Sequence, residues 1–555
     1  MTRESDTPSL ENHYVSLLQP AFRAHADKII FRSYLGRDDV WGEVTYRQLE
    51  KRLTLAQAHW KEKVASLSLQ PLDVVGFWLT GRKLSDMINA IAVSSLGLTP
   101  QLFSGYFERA SVILELLAVS GGKALVVDID LQDHLQGHPM RIPTLTALED
   151  RELETLESSA NAQGYAEELR FGALVPVRLE DDAFLFHSSG TTGSHPKIIP
   201  YRFRMLQHQM KVTFPSIHIP LTTEGQTVAN TLGRLANIGS FHCFVAAIYL
   251  GQCIVQASTM AVTPRELMGM VRACKLTTLI LYAIYLAPLI KAAQEDDELK
   301  RTLQSLHQVI HTGFELNKAE EDWARANGIR TTTCYGTTET GQVLMSRIGP
   351  EPDARFLRPI PGCSVEFIPY SGLDVNSPDM QNAEGTQLYE LVVPSGAGEC
   401  PPQALCALDG SYHPKDLFER VGQDGWVYRG RAGDWIRCLG GFVDSKTIED
   451  YVRTKCTDLV HDVVAVGSGR HVPCLIVETE PLDAVKRKEV ATEIFKRIEG
   501  LNERLFPHER IEDARQVIIV DKGTLPRTKE KGNVRRAATE EAFKSEMDSI
   551  YADLL

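Results

Sequence analysis

Metal-binding and redox spacings are missing from this 555-residue chain: its ten cysteines run from Cys243 to Cys474 without one CxxC pair. That excludes the common zinc-finger and thioredoxin patterns and reads as free, buried thiols in a reducing compartment. An apolar leader is missing too, since the N-terminal stretch MTRESDTPSLENHY is polar, so no secretion is expected. The longest apolar run, Leu276 to Ile290, lies between Lys275 and Lys291. It is shorter than the roughly 20 residues that span a bilayer, and a buried strand leading into a helix is expected there. Basic surplus is also lacking: 59 Lys and Arg stand against 72 Asp and Glu, for a net charge of −13. Neither nucleic acid nor an anionic membrane is therefore an expected partner, although a local basic pocket is not excluded. A cytoplasmic protein is expected.

What is present is ordinary globular material, 43% hydrophobic and 24% charged, in a chain too long for one core. Apolar strands alternate with helical patterns. VVGFWLTG (74–81) precedes the helix SDMINAIAVSSLG (85–97), and KALVVDID (123–130) is a further strand. The alternation returns in FHCFVAAIYLG with QCIVQAS, in TTLILYAI and in HQVIHTG. Such patterning predicts an α/β protein with helices on largely parallel sheets. Between about 360 and 430 short strands (386–394, 424–431) and Pro- and Gly-rich turns predict a small β subdomain. From about 434 a helix (444–455), the strands VVAVGS and CLIVETE, and helices at 482–500 and 539–552 predict a small, mobile α+β lid. The expected domains are residues 1–432 and 433–555. The polar stretches near 130–180 and 370–385 read as surface loops.

Four motifs carry chemistry. FHSSGTTGSHPK (186–197) follows the apolar run Ala183-Phe184-Leu185-Phe186, and its glycines, hydroxyls and final lysine suit a polyphosphate. YGTTETG (335–341) offers Glu339, a candidate Mg²⁺ ligand once phosphates are beside it. KDLF followed by GWVYRGRAGDWI gives Asp416, Arg431 and Asp434, and LPRTKEKGNVRR holds Lys529, Lys531, Arg535 and Arg536. Each alone has a plain alternative: turn residues, a surface carboxylate, a solvated basic loop.

Together and in this order, over about residues 14–545, the four resemble the adenylate-forming superfamily: acyl-CoA synthetases, luciferases and adenylation domains of nonribosomal peptide synthetases. FHSSGTTG, GDWI with LGGFVDSKTIED, and LPRTKEKGNVRR are closest to adenylation domains of fungal NRPS-like proteins, including carboxylic acid reductases. The resemblance implies that a carboxylic acid and ATP give acyl-AMP and pyrophosphate, followed by acyl transfer to a thiol. It implies that Ser188, Ser189, Gly190, Thr191, Thr192, Gly193 and Lys197 hold the β- and γ-phosphates. Thr338 would contact the α-phosphate and Glu339 would hold Mg²⁺. Tyr335 would stack on adenine, with Gly313, Phe314, Gly336 and Thr337 beside it. Asp416, Arg431 and Tyr428 would bind the ribose side of ATP, and Lys531 would bridge carboxylate and α-phosphate. Gly433 falls at the hinge, and Leu439-Gly440-Gly441 would line the phosphopantetheine tunnel. Three positions depart from the family pattern. Gly433 replaces an acidic hinge residue, HTGFEL replaces a double-glycine adenine loop, and Lys531 precedes rather than follows Gly532, with Lys529 in reserve.

For the acid itself, the resemblance points to Asn237, Ile238, Phe241, Tyr282 and Ala283. The stretch Leu235-Ala236-Asn237-Ile238-Gly239 holds no carboxylate, so an α-ammonium would be unpaired and an aryl or other non-α-amino acid is expected. The expected acceptor is the phosphopantetheine thiol of a carrier-protein domain, adjacent in the native protein or acting in trans. A free-standing acyl-CoA ligase is the alternative, and a non-catalytic nucleotide-binding scaffold the second alternative.

Overall fold

The computed structural model describes residues 7–37, 39–103, 110–138, 142–163, 171, 174–188, 197–217, 225–313, 316, 318–349, 351–370, 387–432, 435–438, 441–502, 505, 507–527 and 534–554. These divide into two compact units. The first takes in residues up to Ser188, then Lys197 to Val365 and Val393–Tyr412; the second takes in Glu366–Val392 and the chain from His413 onward.

The first unit is built on two sheets. A six-stranded sheet runs Thr144–Thr146, Ala124–Val127, Val74–Trp78, Thr99–Phe103, Asp182–Ser188 and Lys197–Arg202. It is parallel except at the last strand. A nine-stranded sheet runs Arg358–Pro359, Gly341–Met345, Thr331–Thr337, Gln308–Thr312, Thr278–Tyr282, Val228–Asn230, Cys253–Val255, Ile29–Arg37 and Val40–Thr45. Its middle is parallel and its edges antiparallel. Such Val- and Ile-rich parallel strands need cover on both faces. The expected strand-then-helix at 276–290 is present as Thr278–Tyr282 followed by the helix Ala283–Ala293.

One junction in the large sheet is made by a side chain. The strands Val228–Asn230 and Thr278–Tyr282 share a single backbone pair, Thr278 with Ala229. Asn230 extends it, accepting from Ile280 N–H at 2.7 Å and donating to Ile280 O at 2.8 Å. A buried amide satisfied on both sides substitutes for the missing ladder. The helix Ile238–Leu250 is apolar nearly all round and buried accordingly, with Phe241, Val245 and Ile248 at 0% exposure.

The stretch 130–180, expected to be loop, contains a 13-residue helix, Asp150–Ala162. Its buried face is Leu153, Glu157 and Ala160, and Glu157 is buried because Arg52 Nε lies 2.9 Å away. Leu153, Leu156 and Ala160 do fall at helical spacing, but the stretch is otherwise polar and the inward Glu157 adds a charge to the buried face.

In the second unit, Glu366–Pro369, Leu388–Val392, Asp416–Val421 and Gly425–Arg431 form an antiparallel sheet, the expected β subdomain, with Phe367 stacked on Trp426 at 3.7 Å. A hairpin (Trp435–Cys438, Gly441–Asp444) precedes the helix Ser445–Lys455. A three-stranded sheet, Asp462–Val466, Cys474–Thr479 and Val517–Asp521, packs with the helix Ala484–Arg497. The helix expected at 539–552 is two, Arg536–Ala542 and Lys544–Leu554, parted at Phe543. Among the described residues no helix is long and apolar enough to cross a membrane, and all ten cysteines are free.

Candidate active site

The glycine-rich motif connects a β-hairpin. Ala183–Phe186 are buried, and Ser188 pairs across the ladder with Lys197, which stands exposed at the start of the returning strand. Ser189, Gly190, Thr191, Thr192 and Gly193 lie outside the described residues. His187 supports the motif's entry: its Nδ1 donates to Leu102 O at 3.1 Å, its Nε2 accepts from Gln101 at 3.1 Å, and its ring stacks on Phe103. Burial lowers its pKa to about 4, so the ring is neutral at physiological pH.

YGTTETG, read as a loop at a strand end, is a hairpin turn between Thr331–Thr337 and Gly341–Met345. The hydroxyls of Thr337 and Thr340 lie 3.0 Å apart, and Thr337 Oγ1 accepts the Thr340 N–H at 3.2 Å. Gln209 buttresses the turn by donating to Thr340 O at 3.2 Å. Gln209 opens a single π turn, Gln209–Thr213, in the helical segment after Phe203–His208; such turns recur at functional sites. Gly336 has no alternative. A Cβ there would sit 2.4 Å from Gly341 O and 2.8 Å from Gln342 Cα, both backbone. Thr338 and Glu339 are thereby held at the tip, half-buried, with carboxylate and hydroxyl oxygens of the hard type that suits Mg²⁺.

Behind the turn lies a cavity of about 170 Å³. Gly313, Gly336, Thr337 and Thr338 line one side, and Asn237, Ile238 and Tyr282 another. Seven of the sequence-predicted residues thus share one cavity. Tyr335 and Glu339 are its half-buried neighbours in the turn and do not line it. Phe241 and Ala283 do not line it either: Phe241, at 0% exposure, packs on Phe184 with centroids 4.5 Å apart, and Ala283 is buried at a helix start. Phe314 is outside the described residues.

The sequence reading missed His242, Cys243, Gln342 and Phe214, which also line the cavity. His242 Nδ1 lies 3.1 Å from Gln342 Oε1 and donates to it, while its Nε2 is buried with no hydrogen-bond partner. Burial lowers the ring's pKa to about 4, so Nε2 is an unmet acceptor. Cys243 and Cys334, also in the lining, have thiols pushed up to about 12 by burial. Thiols so protonated at neutral pH are poor nucleophiles. No Asp, Glu, Lys or Arg is among the described lining residues.

In the second unit Asp416, 2% exposed, faces Arg431 across the ladder. Arg431 Nε is 3.2 Å and Tyr428 Oη 3.3 Å from Asp416 Oδ1, so the third motif's residues do converge on one carboxylate. Lys529 and Lys531 are outside the described residues, but the base of their segment is fixed. Arg527 bridges to Val534 and pairs with Asp462 at 2.8 Å and with the fully buried Glu478. Gly433, Asp434, Leu439 and Gly440 also fall outside.

Comparison with known proteins accords with these motifs. Residues 18–374 match the model of the AMP-binding enzyme family, and 438–555 that of the AMP-binding enzyme C-terminal domain. The chain is 28% identical over 527 residues to the AMP-binding domain-containing enzyme iboA of Amanita muscaria (strain Koide BX008), covering 94% of this chain and 99% of that one. It is 24% identical over 483 residues to the adenylate-forming reductase stbB of Stachybotrys bisbyi, covering 84% of this chain but 42% of that protein. The fold is that of O-succinylbenzoate coenzyme A synthetase from Bacillus subtilis, solved with ATP and magnesium, at a TM-score of 0.66 and 16% identity, covering 94% and 99% of the two chains. The chain belongs to the AMP-binding enzyme family, within the adenylate-forming superfamily of acid–thiol ligases and adenylation enzymes.

Proposed function

We propose that the protein activates a carboxylic acid without an α-ammonium, an aryl acid or a similarly apolar one, and hands its acyl group to an external thiol. One observation carries this: the uncharged cavity is lined on one side by the helix start at Asn237–Ile238 and on another by the Thr337–Thr338 turn of the family motif. An acid seated there has its carboxylate at the nucleotide motif. A carboxylate oxygen attacks the α-phosphorus of ATP and pyrophosphate leaves; a thiol sulfur then attacks the acyl carbon and AMP leaves. Both steps bring anions together, so positioning and charge neutralisation dominate. Mg²⁺, when bound, would neutralise phosphate charge, and Glu339 with the adjacent Thr338 hydroxyl would hold it. Lys197 and Lys531 would place further positive charge on the phosphates and the attacking carboxylate, and Asp416 with Arg431 would take the ribose hydroxyls. The protonated Cys243 and Cys334 would not intercept the acyl-adenylate, leaving transfer to a phosphopantetheine thiol of a carrier domain. Coenzyme A is the second reading, favoured by 28% identity over 356 residues to a 4-chlorobenzoate–CoA ligase of Arthrobacter sp.

The test is pyrophosphate release, trapped with hydroxylamine, across aryl, α-keto, amino and fatty acids with ATP and Mg²⁺. Release is expected with an apolar or aryl acid, and Lys531→Ala is expected to lower it by about 100-fold or more, the scale of removing a preorganised charge from a developing one. Silence across the panel, or an undiminished Lys531→Ala, would overturn the mechanism. Saturation with coenzyme A against a pantetheinylated carrier then separates the two acceptors.

His242 narrows the acid. Nε2 is shielded even with the cavity empty, so the ring must turn to offer it to a bound substrate, where an unmet acceptor is costly unless the substrate brings a donor. The proposed acid therefore carries a hydroxyl or N–H away from its carboxylate. His242→Phe is expected to lower kcat/KM for the hydroxylated acid about 10- to 100-fold while leaving its deoxy analogue little changed, matching about 1–3 kcal/mol for one unmet polar group. Equal losses for both acids would remove His242 from specificity.

A further inference from the structure

We propose that His208, Cys363 and Glu399 bind one Zn²⁺ ion, at a place in the first unit that no adenylation motif includes. His208 ends the helix Phe203–His208, Cys363 lies in the turn after Arg358–Pro359, and Glu399 belongs to the segment Val393–Tyr412. His208 Nε2 is 3.1 Å from Glu399 Oε2 and 3.9 Å from Cys363 Sγ, and the three ligand atoms all lie within 4.8 Å of one another. Zinc bonds of about 2.0 Å to N or O and 2.3 Å to S put tetrahedral ligand atoms about 3.3–3.5 Å apart. The measured separations bracket that spacing.

The carboxylate is what demands a cation. Glu399 is 0% exposed; one oxygen accepts the Ser364 N–H, while Oε2 is buried with no hydrogen-bond donor. A buried carboxylate oxygen left unmet is strongly unfavourable. A protonated His208 is the rival partner, but Nε2 approaches Oε2 without hydrogen-bond geometry. Three lone-pair donors converging on one point are instead the arrangement of a ligand set.

The surroundings hold that set. A Cβ on Gly398 would fall 2.1 Å from His208 Nδ1, so only glycine lets the backbone beside Glu399 come this close to the imidazole. Arg204, one turn before His208, donates to the carbonyls of Ala397, Gly398 and Cys400 at 2.7, 2.9 and 2.9 Å, pinning the segment against the helix. Thr213 Oγ1 lies 3.6 Å from Cys363 Sγ, where its hydroxyl can donate to a thiolate and orient it. Burial and the nearby Glu399 push the metal-free thiol up to about 11, and coordination releases its proton. Imidazole, thiolate and carboxylate together select Zn²⁺ over Mg²⁺ or Ca²⁺, and water would complete the four ligands.

The test uses the whole protein, purified without chelator, equilibrated with zinc chloride, desalted and assayed by plasma mass spectrometry. About one retained zinc per chain is expected, with Cys363→Ser and Glu399→Gln each binding at least about tenfold more weakly, the loss typical of damage to a zinc site. Cobalt chloride added to the zinc-free protein is expected to give a sulfur-to-cobalt charge-transfer band in the near ultraviolet, absent in Cys363→Ser. Circular dichroism checks that each variant is folded. No retained zinc and no cobalt band in the parent protein would overturn the site and leave an imidazolium–carboxylate pair. Binding unchanged in both variants would also overturn it, placing the metal on other thiols.

Discussion

Gly336→Ala is expected to abolish most acid-dependent pyrophosphate release, by about 100-fold or more, with only a modest loss of stability. The added methyl would meet Gly341 O at 2.4 Å and Gln342 Cα at 2.8 Å, and neither is a side-chain tip that can swing away. The ladder already shifts register between Tyr335 and Gly336, so the hairpin has little slack there. The strands must part, and the turn they carry, with Thr338 and Glu339, must move. A displacement of about 1 Å in a reacting geometry costs about 100-fold in rate, whereas overpacking of this kind costs about 1–3 kcal/mol of stability. Gly42→Ala is the control, since its Cβ meets nothing closer than 3.7 Å. A folded Gly336→Ala enzyme with activity within about threefold of the parent would show that the turn does not position the chemistry.

Much of this site is legible because its motifs are local. Gly, Ser and Thr after a buried strand announce a turn that exposes backbone amides, and Ser188 and Lys197 do pair at its base. The acid cavity is less legible. The helix Ile238–Leu250 is apolar nearly all round, so periodicity does not show which face meets the cavity. Phe241 and His242 are adjacent in sequence and about 100° apart on the helix, and the histidine is the one in the wall. The helix Asp150–Ala162 reads as loop because its composition is polar, and the partner that buries its inward Glu157, Arg52, comes from 105 residues away. The His208, Cys363 and Glu399 cluster has no sequence spacing at all, since Cys363 lies 155 residues from His208. Contacts of that range are made by the fold and leave no local pattern for a reader to find.

Acid is expected to destabilise the first unit steeply between about pH 6.5 and 4. Burial holds His13, His187 and His242 neutral, each with its pKa lowered from 6.5 to about 4. In that window the unfolded chain binds protons at these three positions and the folded chain does not, so stability falls as pH falls. Asp86 acts in the opposite sense: burial raises its pKa from 3.8 to about 7, so the folded chain holds a proton there that the unfolded chain has released. Three protons taken up less one given up leaves a net uptake of about two on unfolding, or about 3 kcal/mol per pH unit. Against a stability of about 5–15 kcal/mol, two pH units would remove about 6 kcal/mol, a large share of it. His25 and His59 are lowered in the same direction, while Glu149 and Asp182 are raised and oppose them. The check is the urea midpoint followed by tryptophan fluorescence at pH 7, 6 and 5. A progressive fall is expected, and His242→Phe is expected to flatten it by about one proton. A midpoint unchanged from pH 7 to 5 would mean that these rings are not buried neutral. The His242 acceptor on which the proposed acid's distal donor depends would then be lost with them.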